Sequence, residues 1–284
     1  MKIIFFGTPE FVIPVAEALR KEFDHGVEKN LVAVVTQPAK PAGREQTMKY
    51  SPVDNWAYKH RIPIVRDLKN DELPEADLGV VAAYGEIIPQ NVIDHFKYGI
   101  INIHPSLLPL FRGASPIQSA IASGETQTGV SVIKMDEQMD HGPIISYFKE
   151  DILSEDTNET LTKRLFERAS DFVVNLIPNY VSGKIKLKEQ DHSKATFTKV
   201  LKREDGFIDL EKGTAQEAER KIRAMQPWPG AWTKLENGKR LKLLKAHVEN
   251  EKLILDEVQL EGKTPVTGEE FRRGYPDLKL GLNG

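Results

Sequence analysis

Four short, almost uninterrupted apolar runs, at residues 2–6, 31–36, 78–83 and 99–103, limit the folds open to this chain. A strand that is apolar along both faces needs cover on both, which a sheet with one wet side cannot give. The segments between the runs carry helical spacing, as in Phe11, Val12, Val15, Ala16, Ala18 and Leu19. Alternation of this kind predicts an α/β fold with a parallel sheet between layers of helix. Residues 128–135 and 143–148 read as two further strands joined by a polar turn, an antiparallel addition. Residues 158–180 form a long helical pattern through Leu161, Leu165, Phe166, Ala169, Val173 and Ile177.

The pattern changes after about Ser182. Residues 183–202 hold six Lys against Glu189 and Asp191, with little apolar periodicity, so 185–203 reads as a basic linker. A helix at 214–225 follows, then short strands at 231–235, 241–248 and 253–260, the signs of a small β-barrel. With 284 residues, the chain divides into a first domain at 1–184 and a second at 204–284.

Composition removes several classes of chemistry. There is no cysteine, hence no disulfide, thiolate zinc site or cysteine nucleophile. A net charge of −3 gives no bulk attraction to nucleic acid, and no apolar run approaches the roughly 20 residues that span a bilayer. A cytoplasmic monomer is the expectation. The turn Gly7-Thr8-Pro9-Glu10 has one glycine where a dinucleotide site wants three, so it reads as a strand-to-helix turn with Thr8 as N-cap.

The segment 99–113 is the most informative. Asn102 and His104 alternate at the end of an apolar strand and so share a face. In a parallel sheet the carboxyl ends of strands are where ligands sit. An amide donor beside an imidazole suits a carbonyl that becomes an oxyanion, although an ordinary polar strand end reads the same way. Asp136, Glu137, Asp140 and His141 crowd one turn between two strands. A carboxylate there can orient an imidazole or accept a proton; a solvated hairpin is the plain alternative. No other His pair completes a metal site with Asp136, Asp140 and His141, so no metal is expected. From Arg220 to Lys245 eight basic residues face only Glu236, a local +7 that suits a nucleic-acid backbone and equally a solvated face. Trp228 and Trp232 read as a packed corner more readily than as a base-stacking platform.

The run Asn102-Ile103-His104-Pro105-Ser106-Leu107-Leu108-Pro109, then Arg112-Gly113-Ala114-Ser115-Pro116, resembles the signature of the 10-formyltetrahydrofolate-dependent formyltransferases. Asp140-His141-Gly142-Pro143 resembles their second catalytic segment. The N-terminal 3–11, Arg203–Asp209 and Ile222–Ala231 segments are similar to the branch acting on methionyl-tRNA, and the resemblance runs over residues 1–275. It implies a Rossmann-like formyltransferase domain followed by an OB-like barrel, with Asn102, His104 and Asp140 catalytic. It implies that Ser106, Leu107, Leu108 and Pro109 contact the folate, with Tyr84, Gly85 and Ile87 as walls of its pterin pocket. The implied partners are 10-formyltetrahydrofolate and initiator methionyl-tRNA, the tRNA held by Arg44 and Lys49 of one loop and by the barrel's Lys239, Arg240 and Lys242. The implied reaction is direct amine attack on the formyl carbon through a tetrahedral oxyanion, as translation initiation requires. Two positions depart from the family: the loop reads Gly43-Arg44-Glu45-Gln46-Thr47-Met48-Lys49 where Gly-Arg-Gly-Lys-Lys is common, and His141 stands where Thr is usual. Three other readings remain: an amino-sugar-nucleotide N-formyltransferase, a formyl-folate hydrolase, and a non-catalytic RNA-binding protein on the same scaffold.

Overall fold

The computed structural model describes residues 1–42 and 45–276. Strand β1 (Ile3–Gly7) leads through a 3-10 turn to α1 (Ile13–Phe23) and β2 (Leu31–Val35). A hairpin of β3 (Lys40–Ala42) and β4 (Thr47–Lys49) precedes α2 (Pro52–His60) and the two-residue β5 (Ile64–Val65). Next come β6 (Leu78–Ala82), α3 (Gln90–Ile93), β7 (Ile100–His104), β8 (Arg112–Gly113) and α4 (Pro116–Ser123). After them lie β9 (Gln127–Lys134), β10 (Ile144–Asp151), the long α5 (Asn158–Val181) and β11 (Phe197–Thr198). The C-terminal part holds α6 (Ala215–Ala224), β12 (Ala231–Lys234), β13 (Arg240–Glu249), β14 (Lys252–Leu260), β15 (Val266–Thr267) and α7 (Gly268–Gly274).

The chain forms two compact units. The first comprises residues 1–113, 129–150 and 162–197; the second comprises 114–128, 151–161 and 198 onward. Strands of the first unit lie in the order β10-β9-β7-β6-β1-β2-β5. All four apolar runs are parallel neighbours, with Ile3 opposite Leu31 and Leu78, and Val81 opposite Asn102. The expected antiparallel addition is present: β9 runs against β7, setting Ile133 beside Asn102 and Ser131 beside His104. Ile4, Phe6, Val35, Val81 and Ile100 meet Tyr84, Val92 and Phe96 in one core cluster. Their strand neighbours Ile3, Phe5, Val34, Val80 and Ile101 point the other way and are also fully buried. Helix α5 buries Leu165, Phe166, Ala169, Val173 and Ile177, one stripe at helical spacing.

The chain leaves β1 toward β2 on one side and later builds β6 and β7 on the other, so the order reverses between β1 and β6. The carboxyl ends of those strands flank the crevice such a reversal opens. Thr8 stands there and does not cap α1, which starts only at Ile13. Its hydroxyl donates instead to the Tyr84 carbonyl at 2.7 Å, tying the loops after β1 and β6 together. Helices α2 and α3 and strand β5 are too short and mixed in composition to stand out in the sequence.

In the second unit β12-β13-β14-β15 form a small four-stranded antiparallel sheet, at the place where the short strands predict a small β-barrel. One face packs Leu241, Leu243, Leu253 and Val258 against Ala218 and Ile222 of α6. Helix α4 packs on α6 as well. Thr214 caps α6, and Glu217 reaches back to the Thr214 amide at 2.8 Å. No helix among the described residues is long and apolar enough to cross a membrane.

Candidate active site

Asn102 and His104 point to one side of the sheet from the last turns of β7, and the turn between β9 and β10 brings Asp140 to them. Asn102 Nδ2 donates to Asp140 Oδ1 at 3.0 Å, and the Gly113 amide donates to Oδ2 at 2.8 Å. The His104 Nδ1 lies 3.5 Å from the same Oδ2. On its other side the imidazole is pinned: Nε2 is 2.9 Å from the Phe111 carbonyl, which only accepts, so Nε2 carries a proton. The neutral ring therefore turns the Nδ1 lone pair toward Asp140, and any proton held between the two sits on Nδ1 or on the carboxyl. His104 is almost wholly buried, and so is the Asp140 side chain. Asp140 adopts φ +51°, a left-handed conformation in which short polar side chains are the usual non-glycine choice. Two residues on, a Cβ at Gly142 would stand 1.9 Å from the Lys134 carbonyl, so only glycine fits beneath the turn.

The loop after β7 is closed by its own polar groups. Ser106 Oγ donates to the Leu110 carbonyl at 2.6 Å, while Ser131 Oγ donates to the Ser106 carbonyl and accepts from the Leu108 amide. Ser106 and Leu108 are buried in this closure; Leu107 and Pro109 are partly exposed. Tyr84 packs its ring edge-on against Phe6, and burial holds its phenol pKa well above the ordinary value. Gly85 and Ile87 are exposed, Ile87 at 89 %. Leu110 and Met139, chain neighbours of Phe111 and Asp140, are exposed too. Leu110 and Met139 thus put apolar surface open to solvent next in the chain to the residues that hold the carboxylate–imidazole pair.

Arg112, Gln190 and His192 were not marked by the sequence as parts of the site. The Gln190 Oε1 accepts from Arg112 Nη2 at 2.7 Å and Nε at 3.2 Å; its Nε2 donates to the carbonyls of Asp140, His141 and Gly142. Burial draws the Arg112 guanidinium pKa below its ordinary value, against the pull of Asp140 and Asp136. His141 does not pair with Asp140. Its Nδ1 lies 2.7 Å from Asp136 Oδ2, and its ring stacks flat on His192 at 4.0 Å. Gln190 and His192 lie 48 or more residues from every other member in sequence, inside a lysine-rich stretch that resembles a tether; only its contacts distinguish it.

Of the basic residues, Lys49 is exposed on β4, directly opposite Lys40, and Arg44 lies outside the described residues. Lys239, Arg240 and Lys242 are exposed; on β13, Arg240 stands opposite Lys234 and Lys242 opposite Trp232. The Arg240 guanidinium lies over the Trp232 ring at 4.5 Å, while Trp232 also packs against Phe207. Other members of the basic stretch serve the fold. Lys221 Nζ donates to the Phe207 carbonyl, and Arg223 pairs with Glu219 and donates to the Asp156 carbonyl.

A mixed sheet with an amide, an imidazole and a carboxylate at the carboxyl end of a central strand is an arrangement that can serve a group transfer. The chain belongs to the formyl transferase family, in the branch of the methionyl-tRNA formyltransferases. The family's "Formyl transferase" model matches residues 1–177, and "Formyl transferase, C-terminal domain" matches 200–253. The methionyl-tRNA formyltransferase of Chloroflexus aggregans is 41% identical over 87% of this chain and 81% of its own length. That of Bacillus subtilis is 36% identical over 96% of this chain and 94% of its own. Among solved structures, the methionyl-tRNA formyltransferase from Clostridium thermocellum covers 92% of this chain and 98% of its own, with TM-score 0.61 and 22% identity. An N-formyltransferase from Helicobacter canadensis in complex with folinic acid and dTDP-3-aminofucose covers 94% and 98%, with TM-score 0.70 and 17% identity. At those identities the structural likeness speaks for the fold.

Proposed function

We propose that the protein moves the formyl group of 10-formyltetrahydrofolate to the α-amino group of initiator methionyl-tRNA. The observation that carries this reading is the convergence of Asn102, His104 and the Gly113 amide on one buried carboxylate. The amine nitrogen attacks the formyl carbon, the carbonyl oxygen takes the negative charge, and the bond from carbon to the folate N10 then breaks. Asn102 spends one amide proton on Asp140 and offers the second to the oxyanion. Asp140 accepts the proton that the attacking amine must lose. With Nε2 committed to Phe111, His104 shares that proton through Nδ1, and as imidazolium it places a positive charge beside the oxyanion. The same proton returns to N10 as it leaves, so the pair ends in the protonation state in which it began.

Residues of the loop after β7, Ser106–Pro109, with Gly85 and Ile87 and the backbone around Tyr84, would hold the folate. The first unit carries folate binding and chemistry. The outer face of β13, with Lys239, Arg240 and Lys242, holds tRNA phosphates, and Arg44 and Lys49 act near the acceptor end. The names of the relatives support the tRNA as acceptor, and so does a basic face that an amino sugar would not need.

The test is incubation with 10-formyltetrahydrofolate and charged initiator methionyl-tRNA, reading formyl-methionine. A control uses the same tRNA with altered acceptor-end pairing. Efficient, tRNA-dependent transfer is expected. Transfer to an amino sugar nucleotide but not to the tRNA would overturn the assignment of acceptor.

A further inference from the structure

We propose that Gln190 is a positioning residue for the reaction, a two-sided clamp that holds the Asp140 carboxylate in reach of Asn102 and His104. This rests on the formyl-transfer reading of that trio. Gln190 is 5 % exposed, although its neighbours Glu189 and Asp191 are exposed and the stretch around it is lysine-rich. Its amide joins two groups of opposite demand. On one side the Arg112 guanidinium only donates, so it fixes the side-chain oxygen toward itself at 2.7 and 3.2 Å. On the other side three consecutive carbonyls, of Asp140, His141 and Gly142, converge on the nitrogen at 2.9, 3.1 and 2.7 Å. Carbonyls only accept, so they require the NH2. A glutamate would satisfy Arg112 and repel the carbonyls; a lysine would do the reverse. Of side chains this long, only glutamine satisfies both.

Three carbonyls turned toward one point define the curl of the turn that carries Asp140 in its left-handed conformation. The segment bearing Gln190 is itself fixed at both ends. Lys188 exchanges backbone hydrogen bonds with Ile144 at 2.8 and 2.9 Å. Thr196 accepts from the Arg112 amide through its carbonyl and from the Phe111 amide through its hydroxyl. Between them His192 stacks on His141, and its Nδ1 lies 2.8 Å from Arg112 Nη2. The clamp thus grips both ends of the site: the turn that supplies Asp140, and the residues 111–113 that supply the Phe111 carbonyl and the Gly113 amide.

Gln190→Glu keeps the length and the Arg112 side and removes the donor; Gln190→Met keeps the bulk and removes both. Each is expected to lower kcat for formyl transfer about 10- to 100-fold, the scale of a misplacement near 1 Å, with KM for both substrates within about threefold of the native values. Hydrogen exchange supplies a readout independent of turnover. The Gly113 amide, which donates to Asp140, should lose protection while the amides of β1 keep theirs. Native kcat and native Gly113 protection in Gln190→Glu would overturn the proposal. So would equal loss of protection at Gly113 and in β1, which would mark a general role in stability. If Gln190→Glu does not fold, Gln190→Met decides on the same two readouts. If the native enzyme forms no formyl-methionine, the functional reading fails on that result, and Gly113 protection still decides whether Gln190 holds the carboxylate.

Discussion

At the scale of single residues, Asp140 is a structural acceptor in the fold and, on the proposed mechanism, a chemical one as well. Removing its side chain leaves the Asn102 and Gly113 N–H groups without their partner, so alanine mixes a folding defect with a chemical one. Asparagine separates them. It tolerates the φ of +51°, it accepts from Gly113, and a flipped Asn102 amide can still bond to it. Asp140→Asn should therefore melt within about a degree or two of the native protein, yet lose roughly 10²–10⁴-fold in single-turnover transfer. Asn102→Ala, which deletes the proposed oxyanion donor, should lose roughly 10²–10³-fold. Near-native turnover in either variant would remove it from the mechanism. Gly142→Ala is a different experiment, because its Cβ would overlap the Lys134 backbone carbonyl at 1.9 Å. Both melting temperature and turnover should fall, since the β9–β10 turn has to shift and takes Asp140 with it.

At the scale of elements, α6 shows how local sequence and packing divide the work. Its apolar stripe of Ala215, Ala218 and Ile222 is thin, and the helix relies on a capping box at Thr214 and Glu217. Thr214→Ala should cost about 1 kcal/mol in denaturant unfolding. Hydrogen bonds from the Thr214 amide and hydroxyl hold the Glu217 pKa below its ordinary 4.5. A depressed carboxylate pKa stabilises the fold fully above the unfolded value, and that stabilisation is lost as pH falls through the folded one. The advantage of the native protein over Glu217→Gln should thus be constant at neutral pH and shrink below about pH 4.5. A difference that grows in acid would contradict the cap.

For the whole molecule the question is where the charge is available. The basic stretch from Arg220 to Lys245 is not one surface. Lys221 donates a hydrogen bond to the Phe207 carbonyl, and burial lowers its pKa; Arg223 is held by Glu219 and the Asp156 carbonyl. Exposed positive charge lies on the outer face of β13, where Leu241 and Leu243 turn inward and Arg240 and Lys242 turn out. Replacing Lys239, Arg240 and Lys242 together with Gln should weaken tRNA binding and leave folate binding unchanged. The slope of log K against log salt should fall by about 2–3 if each made a phosphate contact. Loss of folate affinity in that variant would mean the basic face has been given the wrong task. Lys221→Gln, by contrast, should act on stability rather than on the salt slope.

The sequence by itself determined the main strands and helices of the first unit and the pairing of Asn102 with His104 on one face. Apolar runs covered on both faces could only be neighbours in a buried parallel sheet. The alternation of Asn102 and His104 put both on one face, because side chains on a strand repeat every two residues. What the sequence could not contain was the closure of the site. Asp140 is 38 positions from Asn102, and Gln190 is 50 from Asp140. No periodicity links residues at such separations, and a lysine-rich stretch has the composition of a tether whether or not one glutamine in it is buried. In the sequence Thr8 resembles a helix cap for a related reason: the competing acceptor, the Tyr84 carbonyl, comes from 76 residues away. Hydrogen bonds between distant segments depend on which loops the sheet order brings side by side. The tertiary structure alone decided that the turn after β9, the loop after β7 and the segment after α5 meet around one carboxylate.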